Sequence, residues 1–396
     1  MRSRTHEASF TRSWRADAFR KQAFAKNTRQ ERSRMPLSHH FVVHDCVTVQ
    51  VDASATTAST RQLLGPFATL SSAAPDVLIF GSVDAARSLA AAPTSTRFGQ
   101  GLEYSDDWIY SPKHRLILIR NNGTWIIGSD RDMEAFVLPI VDLVMSERGL
   151  ATVHAAAVSI RERGVLLAGW GGVGKTSSLV SILGESESKF LADDLTFVSV
   201  LGQLGAFQKS MYVYPYHRDL YPHLFEENRK PLVPSRLSTP MAAVRQVVRP
   251  AVERFPSVEA AARRWTPEHM KVDPRSAFPS AEFAEHAELS TILYLERSND
   301  PEVRVLGRSD DWARSRLSET LYAELPQRAR DFLTIAAGAG LISLAEWFRQ
   351  REEVLSGGLA GANCLNVLIP KAVSANEVGI IVRDILRGEI SDASIE

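Results

Sequence analysis

The first patterned stretch of the chain runs from 41 to 52, where Val47, Val49 and Val51 alternate with polar positions at the period of a half-buried strand. Further strand-like runs follow at 76–81 and 108–110. The runs 115–120 and 124–128, rich in Ile and Leu, flank Asn121-Asn122-Gly123, whose Asn-Gly pair predicts a hairpin. Apolar residues at helical spacing then cover 131–148, with Gly149 as the stop. Pro139 and Asp142 interrupt the most apolar part of that segment, which reads as a buried amphipathic helix. No stretch approaches the roughly 20 apolar residues of a membrane-spanning helix, and the first residues hold no signal-peptide core.

A domain boundary is placed near Leu150, because the pattern changes there. Strands are predicted at 153–160 and 165–168, the second leading into a glycine-rich loop and a helix that begins at Lys175. The runs 191–200, 288–296 and 364–369 read as strands, and 311–323, 327–354 and 375–387 as helices. Strands alternating with helices predict an α/β core over 151–396, with 36–150 as a strand-rich α+β domain. No internal repeat of fixed period is present.

Composition adds little global bias: 46 Lys and Arg balance 46 Asp and Glu, and 44% of the residues are hydrophobic. Neither nucleic acid nor an anionic membrane is an expected partner. Cys46 and Cys364 belong to no Cys/His cluster, which argues against a zinc module or disulfide framework and for a reducing cytoplasm. The charge is uneven only in the tail 1–35, where ten basic residues face Glu7, Asp17 and Glu31. Two readings fit it. A basic arm could bind nucleic acid, with Phe10, Trp14, Phe19 and Phe24 interleaved among the charges. A disordered extension, or a chain that properly starts at Met35, is the simpler account, since no nucleic-acid-binding motif accompanies the charge.

The strongest chemical signal is Gly169-Trp170-Gly171-Gly172-Val173-Gly174-Lys175-Thr176, a complete G-x-x-x-x-G-K-[ST] phosphate loop between a predicted strand and a predicted helix. Glycines let backbone N–H groups converge on an anion, and the helix N-terminus adds partial positive charge. Gly169, Gly171, Gly172, Val173, Gly174 and Ser177 would then line the nucleotide. Lys175 would reach its β and γ phosphates, and the Thr176 hydroxyl its Mg²⁺. Asp193-Asp194 forms the second signal. On an extended backbone the two carboxylates would point to opposite faces, one toward Mg²⁺ and phosphate, the other toward an acceptor hydroxyl; a turn with solvated acids is the competing account. His154 is the third, a polar residue in a small, apolar strand. Alone it would be a satisfied core histidine, but beside the loop and the acids it can tune a carboxylate.

Taken in order, His154, the 169–176 loop and Asp193-Asp194 resemble the catalytic domain of bacterial HPr kinase/phosphorylase and its diverged relatives, within the phosphoenolpyruvate carboxykinase-like P-loop fold. The resemblance covers about 150–300, and weaker features are Met211-Tyr212-Val213-Tyr214-Pro215 and the strand before Arg297-Ser298-Asn299-Asp300. It implies an ATP- and Mg²⁺-dependent kinase. Lys175 and Thr176 would hold the nucleotide and metal, Asp193 would activate the acceptor hydroxyl with help from His154, and Asp194 would lie near the metal with Thr176. The chain departs from the family at Gly171 and Thr176, where Ser is usual, and Asp219 is the candidate for the family's later metal-binding acid. The family's long C-terminal signature that contacts HPr is not found in the sequence, so the implied acceptor is a Ser or Thr of another peptide or protein, or a small-molecule alcohol. Homo-oligomers are compatible with this. A nucleotide-binding switch, or a slow ATPase without a hydroxyl acceptor, is the alternative.

Overall fold

A computed structural model describes residues 38–70, 73–90, 96–98, 101–227 and 269–388. The basic tail 1–35 lies outside the described residues. The chain folds as two compact units, one drawn from Met1–Ala151 with Leu325–Val354, the other from Thr152–Glu324 with Leu355–Glu396. The architecture is mixed α/β.

In the first unit, a nine-stranded mixed sheet runs in the order Ala68–Thr69, Ser38–Val43, Val47–Asp52, Val77–Phe80, Thr124–Ser129, Leu116–Asn121, Trp108–Ser111, Leu102–Tyr104 and Thr96–Phe98. Val77–Phe80 is parallel to both of its neighbours. The hairpin at Asn121-Asn122-Gly123 forms because Asn122 and Gly123 take φ of +49° and +83°, the left-handed pair of a type I′ turn. All of Leu116, Ile117, Leu118 and Ile119 are fully buried, so both faces of that strand are covered. Ile117 and Ile119 pack with Val83, Ala86, Trp108 and Ile126.

The segment predicted as helical from 131 to 148 is the helix Glu134–Ser146, with Pro139 inside it. Its buried Asp142 receives hydrogen bonds from Trp347 Nε1 at 2.8 Å and from the Arg351 guanidinium. Both partners come from the helix Leu344–Gly358, and that pairing gives a physical reason for 325–354 to group with the first unit. The single helix expected over 327–354 is instead two, Gln327–Gly338 and Leu344–Gly358. Gly340, at φ +80°, ends the first in a left-handed turn, and Leu341 N reaches back to Ala336 O at 3.0 Å.

The second unit is built on the long strand His286–Ser298. Arg163–Gly169 lies parallel to it on one side, while Gln203–Gly205 and then Asn363–Pro370 occupy the other. Outward from Arg163–Gly169 follow Ala155–Ile160, Ser188–Ala192 and Glu282–Phe283. The helix Lys175–Leu183 packs on the closing helix Ala375–Leu386, and the approach is so close that a Cβ on Gly379 would come within 2.6 Å of Ser177 O. Among the described residues, no helix is long and apolar enough to cross a membrane.

Candidate functional site

The run expected as one strand over 153–160 is two, Leu150–Val153 and Ala155–Ile160, and it breaks at His154. The strand expected over 191–200 is likewise divided into Ser188–Ala192 and Thr196–Ser199. Asp194 causes the second break by taking φ of +83°, a left-handed conformation that Asp tolerates better than most residues. The acid pair is therefore not on an extended backbone as the sequence suggested. Thr196 Oγ1 donates to Ala155 O at 2.8 Å and so ties the two breaks side by side.

The glycine-rich loop lies between the strand Arg163–Gly169 and the helix Lys175–Leu183. Gly169 has φ of +133°, and a Cβ there would stand 2.4 Å from Leu295 O; at Gly174, φ is +110° and a Cβ would meet Val378 Cγ1 at 2.7 Å. Gly171 and Gly172 are exposed, whereas Val173 turns inward and is buried. Ser177 is also buried, on the first turn of the helix. We expect Gly169→Ala to cost more than about 1 kcal/mol. Gly172→Ala, at φ +79° with no atom within 4 Å of the new methyl, should cost less. Equal losses of thermal stability in the two variants would contradict this account of the loop.

Lys175 is buried and spends its N–H donors on Gly169 O at 2.5 Å, Trp170 O at 3.2 Å and His154 Nε2 at 3.0 Å. Burial lowers its pKa. Burial and then the Lys175 charge also lower that of His154, so the imidazole is neutral at pH 7. Since Nε2 accepts from Lys175, the ring proton belongs on Nδ1, which faces Asp194 Oδ1 at 3.4 Å.

The two acids have different surroundings. Asp193 Oδ1 accepts from Thr176 Oγ1 at 3.1 Å, and burial, reinforced by the neighbouring Asp194 charge, pushes its carboxyl up to about 6. Asp194 Oδ2 accepts from Lys209 Nζ at 2.7 Å. Burial alone would raise Asp194 too, but the Lys209 charge first and then that of Lys175 hold it below the usual carboxylate range. Its side chain remains 43% exposed, which screens these charges in part. Thus Thr176 pairs with Asp193, and His154 with Asp194, the reverse of the pairing that the resemblance implies. Asp219 lies exposed in the turn after Pro215–His217 and bonds to none of this set.

Two members of the cluster carry no sequence signal. Lys209 is buried apart from its bond to Asp194 and follows the acid pair by 15 residues with no motif around it. Glu324, the last residue of the helix Asp310–Glu324, accepts from Gly171 N at 3.0 Å.

Chemically, the set offers a glycine-rich backbone, a buried ammonium, a hydroxyl, one carboxylate raised to about 6 and one held ionised. The donor set suits Mg²⁺, because Thr176 Oγ1 is a hard oxygen ligand at the first turn of the helix, with carboxylates beside it. Among the described residues no group of three or more His, Cys, Asp or Glu could hold a metal by itself. A nucleotide-linked Mg²⁺ asks for less, since it takes one or two protein ligands and fills its sphere with phosphates and water. In comparison with protein-family models and with curated protein sequences, the chain matches none.

Proposed function

We propose that the chain is a diverged relative of HPr kinase/phosphorylase with a phosphoenolpyruvate carboxykinase-like P-loop core, and that it transfers the γ-phosphoryl group of ATP to an aliphatic hydroxyl. The acceptor is a Ser or Thr of a peptide or protein, or a small-molecule alcohol. The observation that carries this reading is the convergence of Lys175, Thr176, His154, Asp193 and Asp194 on one glycine-rich loop at the start of a helix. The free thiols Cys46 and Cys364 suit a reducing cytoplasm.

In this mechanism the loop N–H groups and Lys175 bind the phosphates, which requires Lys175 to swing off the Gly169 and Trp170 carbonyls. Thr176 would hold Mg²⁺, which when bound neutralises charge developing on the phosphates. Asp193 takes the acceptor's proton, and a carboxylate that titrates near 6 is suited to a base working at neutral pH. Asp194, fixed by Lys209 and faced by His154, stays ionised and holds the imidazole in place. Positioning and charge do most of the work in phosphoryl transfer, so few groups suffice.

Lys175→Ala tests the reading directly. The variant should fold, should lose ATP-dependent turnover, and should bind Mg·ATP at least about tenfold more weakly, the effect of losing one charge-assisted contact. Calorimetric titration giving the same affinity as the unmodified chain would sink the assignment.

A further inference from the structure

The loop already carries an anion, and it belongs to the chain itself. Glu324 Oε1 accepts from Gly171 N at 3.0 Å, and a Cβ built on Gly171 would face Oε1 at 3.6 Å and Oε2 at 3.9 Å, so both carboxylate oxygens lie against the loop backbone. The same charge acts on Lys175 and on His154. Backbone N–H groups at the start of a helix, beside a lysine, form the environment that a phosphate oxygen seeks. We propose that Glu324 is an autoinhibitory carboxylate, which occupies the Gly171 N–H in the resting chain and must leave before a nucleotide phosphate can take its place. This inference rests on the loop being the phosphate site.

Three features fit a gate. The carboxylate matches a phosphate oxygen in charge and in the donor it uses. Glu324 is exposed, so once displaced it is hydrated by water and its release needs only side-chain rotation. It also ends a 15-residue helix whose buried face, Ala313, Leu317 and Leu321, anchors it independently of the loop, so the contact can open without unfolding the element that supplies it.

The test is calorimetric titration of the full chain with Mg·ATP, comparing the unmodified protein with Glu324→Gln and Glu324→Ala. Both variants should bind more tightly. Ala should gain about 3- to 30-fold, the range for a charge-assisted hydrogen bond partly exposed to water. Gln should gain less, because its amide oxygen still accepts from Gly171 N–H but without the charge. Structural damage would weaken binding, so a gain identifies competition. Equal or weaker affinity in both variants, with the unmodified chain still binding Mg·ATP, would overturn the gate and leave the phosphate-loop reading standing. Failure of all three to bind would overturn both.

Discussion

Asp193→Asn should slow phosphoryl transfer by about 10²–10⁴, the contribution of a positioned general base, while Mg·ATP affinity changes little because the loop, Lys175 and Thr176 remain. The same substitution should stabilise the fold at high pH. Burial and the Asp194 charge raise the Asp193 carboxyl from an ordinary 3.8 to about 6, so the folded chain holds that proton more tightly than the unfolded one. Near pH 4 and below, the protonated acid and the amide differ little. As pH rises through 6, the unmodified chain must ionise a buried carboxyl and loses stability on the order of 2–3 kcal/mol. Asn has no such loss, so the variant should be the more stable at pH 8, with the gap closing toward pH 4. Single-turnover transfer to an identified acceptor, with denaturant unfolding at the two pH values, checks both halves. Transfer at the unmodified rate would remove Asp193 as base and favour a nucleotide switch or slow ATPase. A strong fall in Mg·ATP affinity would instead move Asp193 to the metal, beside Thr176.

The largest effect on stability is expected from Arg351→Ala. Arg351 is fully buried and Asp142 nearly so, and each is the other's charge partner, with Trp347 as a second donor to the same carboxylate oxygen. Removing the guanidinium takes a charged donor away from a buried carboxylate, and breaking such a pair costs about 3–5 kcal/mol. That is a large part of the 5–15 kcal/mol typical of a folded domain. The double variant Asp142→Asn/Arg351→Met replaces both charges with neutral groups, and should recover much of the loss because the Asn oxygen still accepts from Trp347. Denaturant unfolding of the three proteins decides it. A single variant within 1 kcal/mol of the unmodified chain would show that the pair contributes little.

The sequence disclosed the parts of the site that depend on neighbours along the chain. The loop from Gly169 to Thr176, the strand that enters it and the helix that leaves it are local, since glycine placement and apolar runs determine them. His154 and the acid pair were legible as anomalies, polar residues in apolar surroundings. Their pairing was not. Whether Asp193 or Asp194 faces His154 depends on one left-handed backbone angle at Asp194, which an Asp-Asp dipeptide does not announce. Lys209 and Glu324 were hidden for a different reason. An isolated lysine and a glutamate at a helix end are ordinary surface residues until tertiary packing carries Lys209 to Asp194 and Glu324 to the loop, in the latter case across 153 positions. In the same way, Gly340 lay within a long apolar pattern of helical period that masked the break it causes.

The first unit is assembled from two separated stretches of chain, and this has a consequence for the order of events at the ribosome. Asp142 is synthesised 209 residues before Arg351, and at 5–20 residues per second that separation is roughly 10–40 s. Throughout that interval the nascent sheet of the first unit lacks the helices that complete its core, while the strands and loop of the second are already emerging. The later unit can therefore begin folding before the earlier one is closed. A chain stopped anywhere before residue 351 would leave Asp142 without its guanidinium, however much of the glycine-rich loop and its acids it contained.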